Sequence, residues 1–280
     1  MTLLIVTPMR NESANVAGVA ATLRQQTFRD FRWVVVDDGS TDGTADLLRA
    51  TEPDVEVLKK INDGGLIGGS AYISWRQGVE HGMSSGSYSH VMKLDADVRL
   101  ASDYLERIVA LARGDVGIAG GVIVTPGMRE QKLIVPGPVK LYTRDAYEAT
   151  RRMPSAIGFD VLDEVAASRV GLRTAVDPQA RVELSRAIGA SEGSVHGRYR
   201  SGRVSRWTGY FFPYFLVRCA RYLVRKPYVL GSFAMLWGYA TAGAGPYPLD
   251  LKKEHNRVQR AKLLEALRNP VRFWRRAYKL

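Results

Sequence analysis

The chain has 280 residues, 46% of them hydrophobic and 24% charged. That is the composition of a folded protein with room for one large domain plus an appendage. One cysteine, Cys219, excludes an internal disulfide framework and any cysteine-cluster metal site. The net charge of +12 is uneven: residues 251–280 hold ten Lys/Arg against two Glu, leaving about +4 for the rest. Nucleic acid, an anionic membrane or a merely solvated helix are therefore the readings of the tail to weigh.

Thr2–Thr7 (TLLIVT) is an unbroken apolar run, as expected for a strand buried on both faces, and Pro8 is expected to stop it. The run lacks the basic start of a signal peptide and is too short for one. Asn11, Glu12 and Ser13 offer capping oxygens to a helix through Ala14–Gln26, where Val16, Val19, Ala20 and Leu23 recur at helical spacing. Phe31–Val36 is a second strand. It enters the turn-forming octet Asp37–Thr44 (DDGSTDGT), then a short helix at Ala45–Ala50 and a strand at Val55–Leu58. The glycine-rich Asn62–Ser70 precedes a helix near Ala71–His81. Its glycines permit close backbone approach to a ligand, but it is neither a Walker A loop nor a dinucleotide fingerprint. Strands and helices alternate on short connections, which predicts a mostly parallel sheet with helices on both faces.

The apolar run Val91–Leu94 stops at Asp95-Ala96-Asp97. Acids two apart on an extended segment point the same way. A strand ending in them puts both at the carboxyl edge of the sheet, where open α/β sheets bind ligands. Two hard oxygen donors suit Mg²⁺ or Mn²⁺ completed by substrate phosphate; the alternative is a helix N-cap followed by solvated acids. Ser102–Arg113 is expected to be helical, Val116–Val124 a strand, Thr125–Pro138 turns, Asp145–Arg152 and Asp160–Arg169 helices, and Leu172–Val176 a strand. From Ala187 to Arg203 the chain is rich in Gly, Ser and Arg. This places a loop and a domain boundary there, with domains at 1–190 and 191–280. His81, His90, His196 and His255 show no paired metal spacing. His196 falls in the basic stretch expected to be a loop, open either to diphosphate or to solvent alone.

Thr7-Pro8 with Asn11-Glu12, the octet Asp37–Thr44 and Asp95-Ala96-Asp97, in that order, resemble the family 2 glycosyltransferases, inverting enzymes of the GT-A fold. The resemblance covers about residues 1–180. It implies a Rossmann-like, mixed but mostly parallel sheet, and transfer of a sugar, a hexose, from a UDP- or GDP-linked donor with Mg²⁺ or Mn²⁺. It implies a donor site at Thr7, Pro8, Arg10, Glu12, one of Asp37 and Asp38, and Asp95. By resemblance Asp97 is the main metal ligand and Asp95 touches metal or ribose. The general base lies at an acidic helix start about eleven residues before a glycine, which Asp160 and Gly171 match. Phe159 stands where the family has Glu, and Asp163 and Glu164 are rival bases.

The C-terminal part differs in character. Trp207–Val217 is uncharged and aromatic; Pro227–Leu249 is uncharged, with glycines at 231, 238, 243 and 245 that make it a weak span. Pro213, Pro227, Pro246 and Pro248 break it into pieces suited to lying in an interface. Val271, Trp274 and Tyr278 share one helical face among Arg272, Arg275, Arg276 and Lys279. The expectation is a membrane-associated helical region that seats the enzyme on the cytoplasmic leaflet, peripherally or shallowly inserted, beside a lipid-linked acceptor and without nucleic acid. The competing expectation is a subdomain packed on the catalytic core or on a second copy in a homo-oligomer. Nucleotidyl transfer and non-catalytic nucleic-acid binding are the rival functions. The first would want a glycine- and arginine-rich loop after the first strand, where Thr7-Pro8-Met9-Arg10 stands instead.

Overall fold

The computed structural model describes residues 2–60, 70–124, 134–185, 194–224 and 226–277. The expected strands and helices of the first half form: β1 (Leu3–Met9), α1 (Ser13–Arg24), β2 (Phe31–Asp37), α2 (Thr44–Thr51), β3 (Glu56–Lys59), α3 (Ser70–Ser85) and β4 (His90–Leu94). β5 (Val98–Leu100), α4 (Tyr104–Leu111), β6 (Val116–Ile123), β7 (Val139–Thr143), α5 (Arg144–Thr150), α6 (Phe159–Arg169) and β8 (Arg173–Leu184) follow. The eight strands make one mixed sheet in the order β3-β2-β1-β4-β7-β6-β8-β5. β3, β2, β1 and β4 run parallel; β7 is antiparallel to both its neighbours. This is the expected GT-A architecture.

Two local expectations fail, and two strands go unannounced, for physical reasons. Pro8 does not end β1, which continues to Met9 beside Asp37. Beyond Val6 no ladder runs from β1 to β4, so that flank has few hydrogen bonds for an imino acid to interrupt. β8 does not stop at Val176. The ladder to β6 passes from Gly120↔Val176 to Val122↔Arg181, and the turn-forming Asp177-Pro178 is taken up in that irregularity. β5 and β7 are too short and too mixed in polarity to announce themselves. The glycine-rich stretch 62–69 and most of the Thr125–Pro138 turn lie outside the described residues.

The chain divides into two compact units rather than at a single cut after 190. One holds residues 1–156, 167–185 and 276–280; the other holds 157–166 and 186–275. The helix carrying Asp160 thus clusters with the C-terminal helices. That second unit contains α7 (Ser194–Trp207), α8 (Phe212–Tyr222), α9 (Val229–Thr241), α10 (Leu249–Arg268) and most of α11 (Pro270–Ala277). The basic loop expected through Arg203 is therefore a helix from Ser194 on, with His196 in its first turn. The glycines that suggested a linker serve packing instead. A Cβ on Gly202 would sit 1.9 Å from the Met235 carbonyl oxygen, and one on Gly238 2.0 Å from that of Tyr199. Backbone contact between α7 and α9 thus overrides local propensity. Among the described residues no helix is long and apolar enough to cross a membrane.

His255 on α10 is a buried fastener of this unit. It stands 2.7 Å through Nδ1 from the Thr208 carbonyl, to which it donates, and its Nε2 accepts from Gln259 at 2.9 Å. Gln259 Oε1 accepts from the Phe211 amide at 2.8 Å. Both ring nitrogens are thus engaged by a neutral imidazole, and burial, aided by Lys262, pushes the pKa down to about 4. The unfolded chain takes up a proton there near 6.5 and the folded chain does not. The contribution is therefore complete above about pH 6.5 and is lost as pH falls towards 4, a swing of roughly 3 kcal/mol. Urea melts at stepped pH should show this slope. His255→Asn should be less stable at pH 7.5 and shallower by about one proton between pH 6.5 and 4.

Candidate functional site

β2, β1 and β4 are adjacent and parallel, so Asp37, Met9 and Leu94 all end at one edge of the sheet. The loops after them carry the expected donor-site residues. Asn11, in left-handed conformation at φ 54°, lets the first loop meet the octet. Its amide donates to Ser40 Oγ at 3.0 Å and its Oδ1 accepts from the Thr41 amide at 2.9 Å. The Glu12 amide donates to Thr44 Oγ1 at 2.9 Å, and the Ser13 amide to Asp42 Oδ2 at 3.0 Å. Asp42 therefore caps α1 from across the site; the Thr44 hydroxyl, with the Ser13 and Thr44 amides, holds its carboxyl well below the usual carboxylate range. Half of the octet is thus spent on binding two loops together.

That assignment separates the two leading acids. Asp37 Oδ1 accepts the Ser40 amide three residues on at 3.0 Å and so closes the start of the octet turn. Asp38 instead lies 3.1 Å from the Lys60 ammonium, with its side chain almost wholly buried. The two neighbours are thus held differently, Asp37 by the turn and Asp38 by an ion pair. Thr7 needs correcting: its side chain is fully buried and its hydroxyl accepts from the Trp33 indole at 2.9 Å, so it braces β2 rather than lining a pocket. Pro8 is part-exposed and Arg10 exposed at the strand end. Glu12 caps α1 by position only, without a side-chain bond. Its Oε2 accepts from Asn15 Nδ2 at 2.6 Å. Asn15 Oδ1 accepts from Ser185 Oγ at 2.9 Å, and the Ser185 amide donates to the Asp97 carbonyl at 2.8 Å. A hydrogen-bonded relay therefore joins the first loop to the Asp95–Asp97 turn.

Asp95 and Asp97 lie in the short turn between β4 and β5. The Asp95 amide donates to the Pro138 carbonyl at 2.9 Å, fixing the turn to the strand beside it. One Asp95 oxygen is ion-paired to Lys93, whose ammonium also stands 5.3 Å from the centre of the Tyr72 ring. Lys93 pairs in register with Lys140 on β7, and both are buried, at 4% and 1% exposure. Two cations facing each other in a core are costly unless offset; Asp95 and Tyr72 offset Lys93. These two lysines and Lys60 were not expected as site residues. Lys93 sits inside what reads as an apolar run, and the fold alone brings Lys60 to Asp38.

Among the described residues no cluster of three or more His, Cys, Asp or Glu forms a complete metal cage. A two-carboxylate edge fits Mg²⁺ or Mn²⁺, which take one or two carboxylates and fill their remaining positions with phosphate and water. With one oxygen of Asp95 held by Lys93, Asp97 is the better placed of the two to lead.

The three acids proposed as base differ in exposure. Asp163 is fully buried, with Oδ1 2.7 Å from the Glu164 amide, which removes it as a base. Asp160 and Glu164 keep part of their surface, four apart on one face of α6. The chain enters α6 through Gly158, where φ is 92° and a Cβ would stand 2.6 Å from Thr208 Cγ2 and 3.0 Å from Val204 Cγ1. The Tyr247 hydroxyl donates to the Ile157 carbonyl at 3.1 Å. The start of the helix is thus seated on α7 and on the segment before α10. Gly158→Ala should shift that start, destabilising the fold by about 1–3 kcal/mol and lowering kcat while the donor KM holds. Urea melts and steady-state kinetics check it.

Residues 4–175 match the Glycosyl transferase family 2 profile, more than half of the chain. The chain belongs to glycosyl transferase family 2. Membership decides for sugar transfer over nucleotidyl transfer. Two solved structures are similar to this family 2 chain in fold. The mannosyltransferase PcManGT from Pyrobaculum calidifontis, in complex with GDP-Man and Mn²⁺, gives a TM-score of 0.57 at 19% identity, over 97% of this chain and 82% of that one. TarS 1-349 from S. aureus, in complex with UDP-GlcNAc, gives 0.54 at 15% identity, over 95% and 78%. No curated protein matches the chain.

Proposed function

We propose that this chain transfers a hexose from a UDP- or GDP-linked donor, with inversion and a divalent cation, to a lipid-linked acceptor. The observation that carries the reading is the shared edge of β2, β1 and β4, which gathers Glu12, Asp38, Asp95 and Asp97. Asp38 accepts hydrogen bonds from the base, kept in place by Lys60. Asp97, with Asp95, would hold Mg²⁺ or Mn²⁺. When bound, the cation neutralises charge developing on the diphosphate. The acceptor oxygen attacks the anomeric carbon from the face opposite the diphosphate. The bond from the anomeric carbon to the diphosphate oxygen breaks and its electron pair stays on the departing diphosphate, while the acceptor hydroxyl's proton passes to Asp160. The mannosyltransferase bound to GDP-Man and Mn²⁺ and TarS bound to UDP-GlcNAc support a nucleotide-sugar donor and a divalent metal.

A donor screen tests the reading. One member of a panel of UDP- and GDP-hexoses should raise the melting temperature with Mn²⁺ or Mg²⁺, and EDTA should cancel the rise. No rise with any member would refute it.

A further inference from the structure

Residues 193–249 contain eight Lys/Arg and not one Asp or Glu. Several of these cations rest on aromatic faces in place of carboxylates. The Arg198 guanidinium stands 3.7 Å from the centre of the Tyr222 ring, that of Arg203 4.7 Å from Trp207, and that of Arg206 5.3 Å from Tyr239. The same stretch turns large apolar side chains outward. α8 buries Phe215 and Cys219 and exposes Leu216 and Val217, with Val224 exposed just past its end. α9 buries Gly231, Met235 and Gly238, while Leu230, Phe233 and Trp237 are 68%, 69% and 62% exposed. Positions 230, 233 and 237 form one helical stripe, so α9 is apolar on both sides. Exposed apolar surface on this scale, on two consecutive helices, marks a docking face.

We propose that the α8–α9 pair docks this protein on an anionic lipid surface, lying at headgroup depth. The proposal rests on the lipid-linked acceptor reading and supplies its partner. The helices have 11 and 13 residues, about 16 and 20 Å, too short for a hydrocarbon layer of about 30 Å. They must therefore lie in the interface. Arg221, in the last turn of α8, and Lys226, in the segment before α9, are exposed, as suits long basic side chains that sink their stems among acyl chains and keep their charges at the headgroups. Tyr228 and Trp237 favour that same depth. In a two-fold contact of this face with itself, a second copy would bring the same cations and no acid from residues 193–249, so the charges do not complement. Phe233 and Trp237 share the exposed surface of the pair with Leu216, Val217, Val224 and Leu230, a mainly aliphatic face that suits acyl chains and gives nucleic-acid bases few rings to stack on.

Flotation of the full chain, without detergent, with vesicles of phosphatidylcholine alone or mixed with phosphatidylglycerol is the test. The wild type should float with the anionic vesicles at low salt and much less with the neutral ones. Leu230→Glu/Phe233→Glu changes exposed positions only. It should cut the floated fraction at least about tenfold while the thermal shift with nucleotide sugar stays unchanged. A wild type that stays at the bottom with both vesicles overturns the proposal, as does a double variant that floats like wild type. A dimer by light scattering that the double variant splits, without flotation, would assign the face to a second copy. Donor binding without flotation would sink the docking face and leave the transferase standing; flotation without donor binding would do the reverse.

Discussion

Asp97→Asn is expected to abolish metal-dependent donor binding while the protein unfolds at the wild-type temperature. Asp97 lies in a short turn, part-exposed, outside the hydrophobic core. Its backbone carbonyl takes a structural bond from the Ser185 amide at 2.8 Å, which the substitution leaves in place. An amide keeps the size of the side chain and removes the charge a hard cation needs. Asp95 cannot simply replace it, because one of its oxygens is ion-paired to buried Lys93. kcat/KM should fall by roughly 10²–10³, the scale for losing one electrostatic partner of a developing anion. Calorimetry with donor, with and without Mn²⁺, reads the effect directly. A variant that binds donor in the same metal-dependent way would take Asp97 out of the site.

What the sequence made legible, and what it hid, follows from range. The unbroken run Thr2–Thr7, the octet and Asp95-Ala96-Asp97 are local signals, and the parallel half of the sheet with its carboxyl-edge acids follows from them. The roles of individual acids do not. Asp37 and Asp38 are neighbours of one type, and only the Ser40 amide on one and the Lys60 ammonium near the other tell them apart. Ser185 lies 170 positions from Asn15, so the relay to Asp97 has no local trace. α7 reads as a linker because its Gly and Ser are weak helix formers and its Arg residues mark solvent as readily as a helix. Its glycines make sense only against the backbone of α9. Lys93 passes as one polar letter in an apolar run until β7 sets Lys140 against it.

Asp160→Asn should keep donor affinity and lose transfer by roughly 10²–10⁴-fold in kcat, the range for a general base. Three comparisons turn that number into an assignment. Asp163→Asn should change kcat little but lower stability, because its side chain is fully buried and bonded to the helix backbone. Glu164→Gln shares the face of Asp160 one turn on and should cost far less than Asp160→Asn if the start of the helix is the catalytic position. The pH profile separates chemistry from shape: loss of a base removes the acid limb of kcat, and a positioning defect lowers the whole curve without moving the limb. An acceptor that is already an ionised phosphate gives a fourth result. It has no proton to lose, so the defect of Asp160→Asn should be mild with it and severe with a hydroxyl acceptor. A full loss that follows Glu164 and spares Asp160 would move the base one turn along α6. Equal, modest losses at both would mean that neither takes the proton.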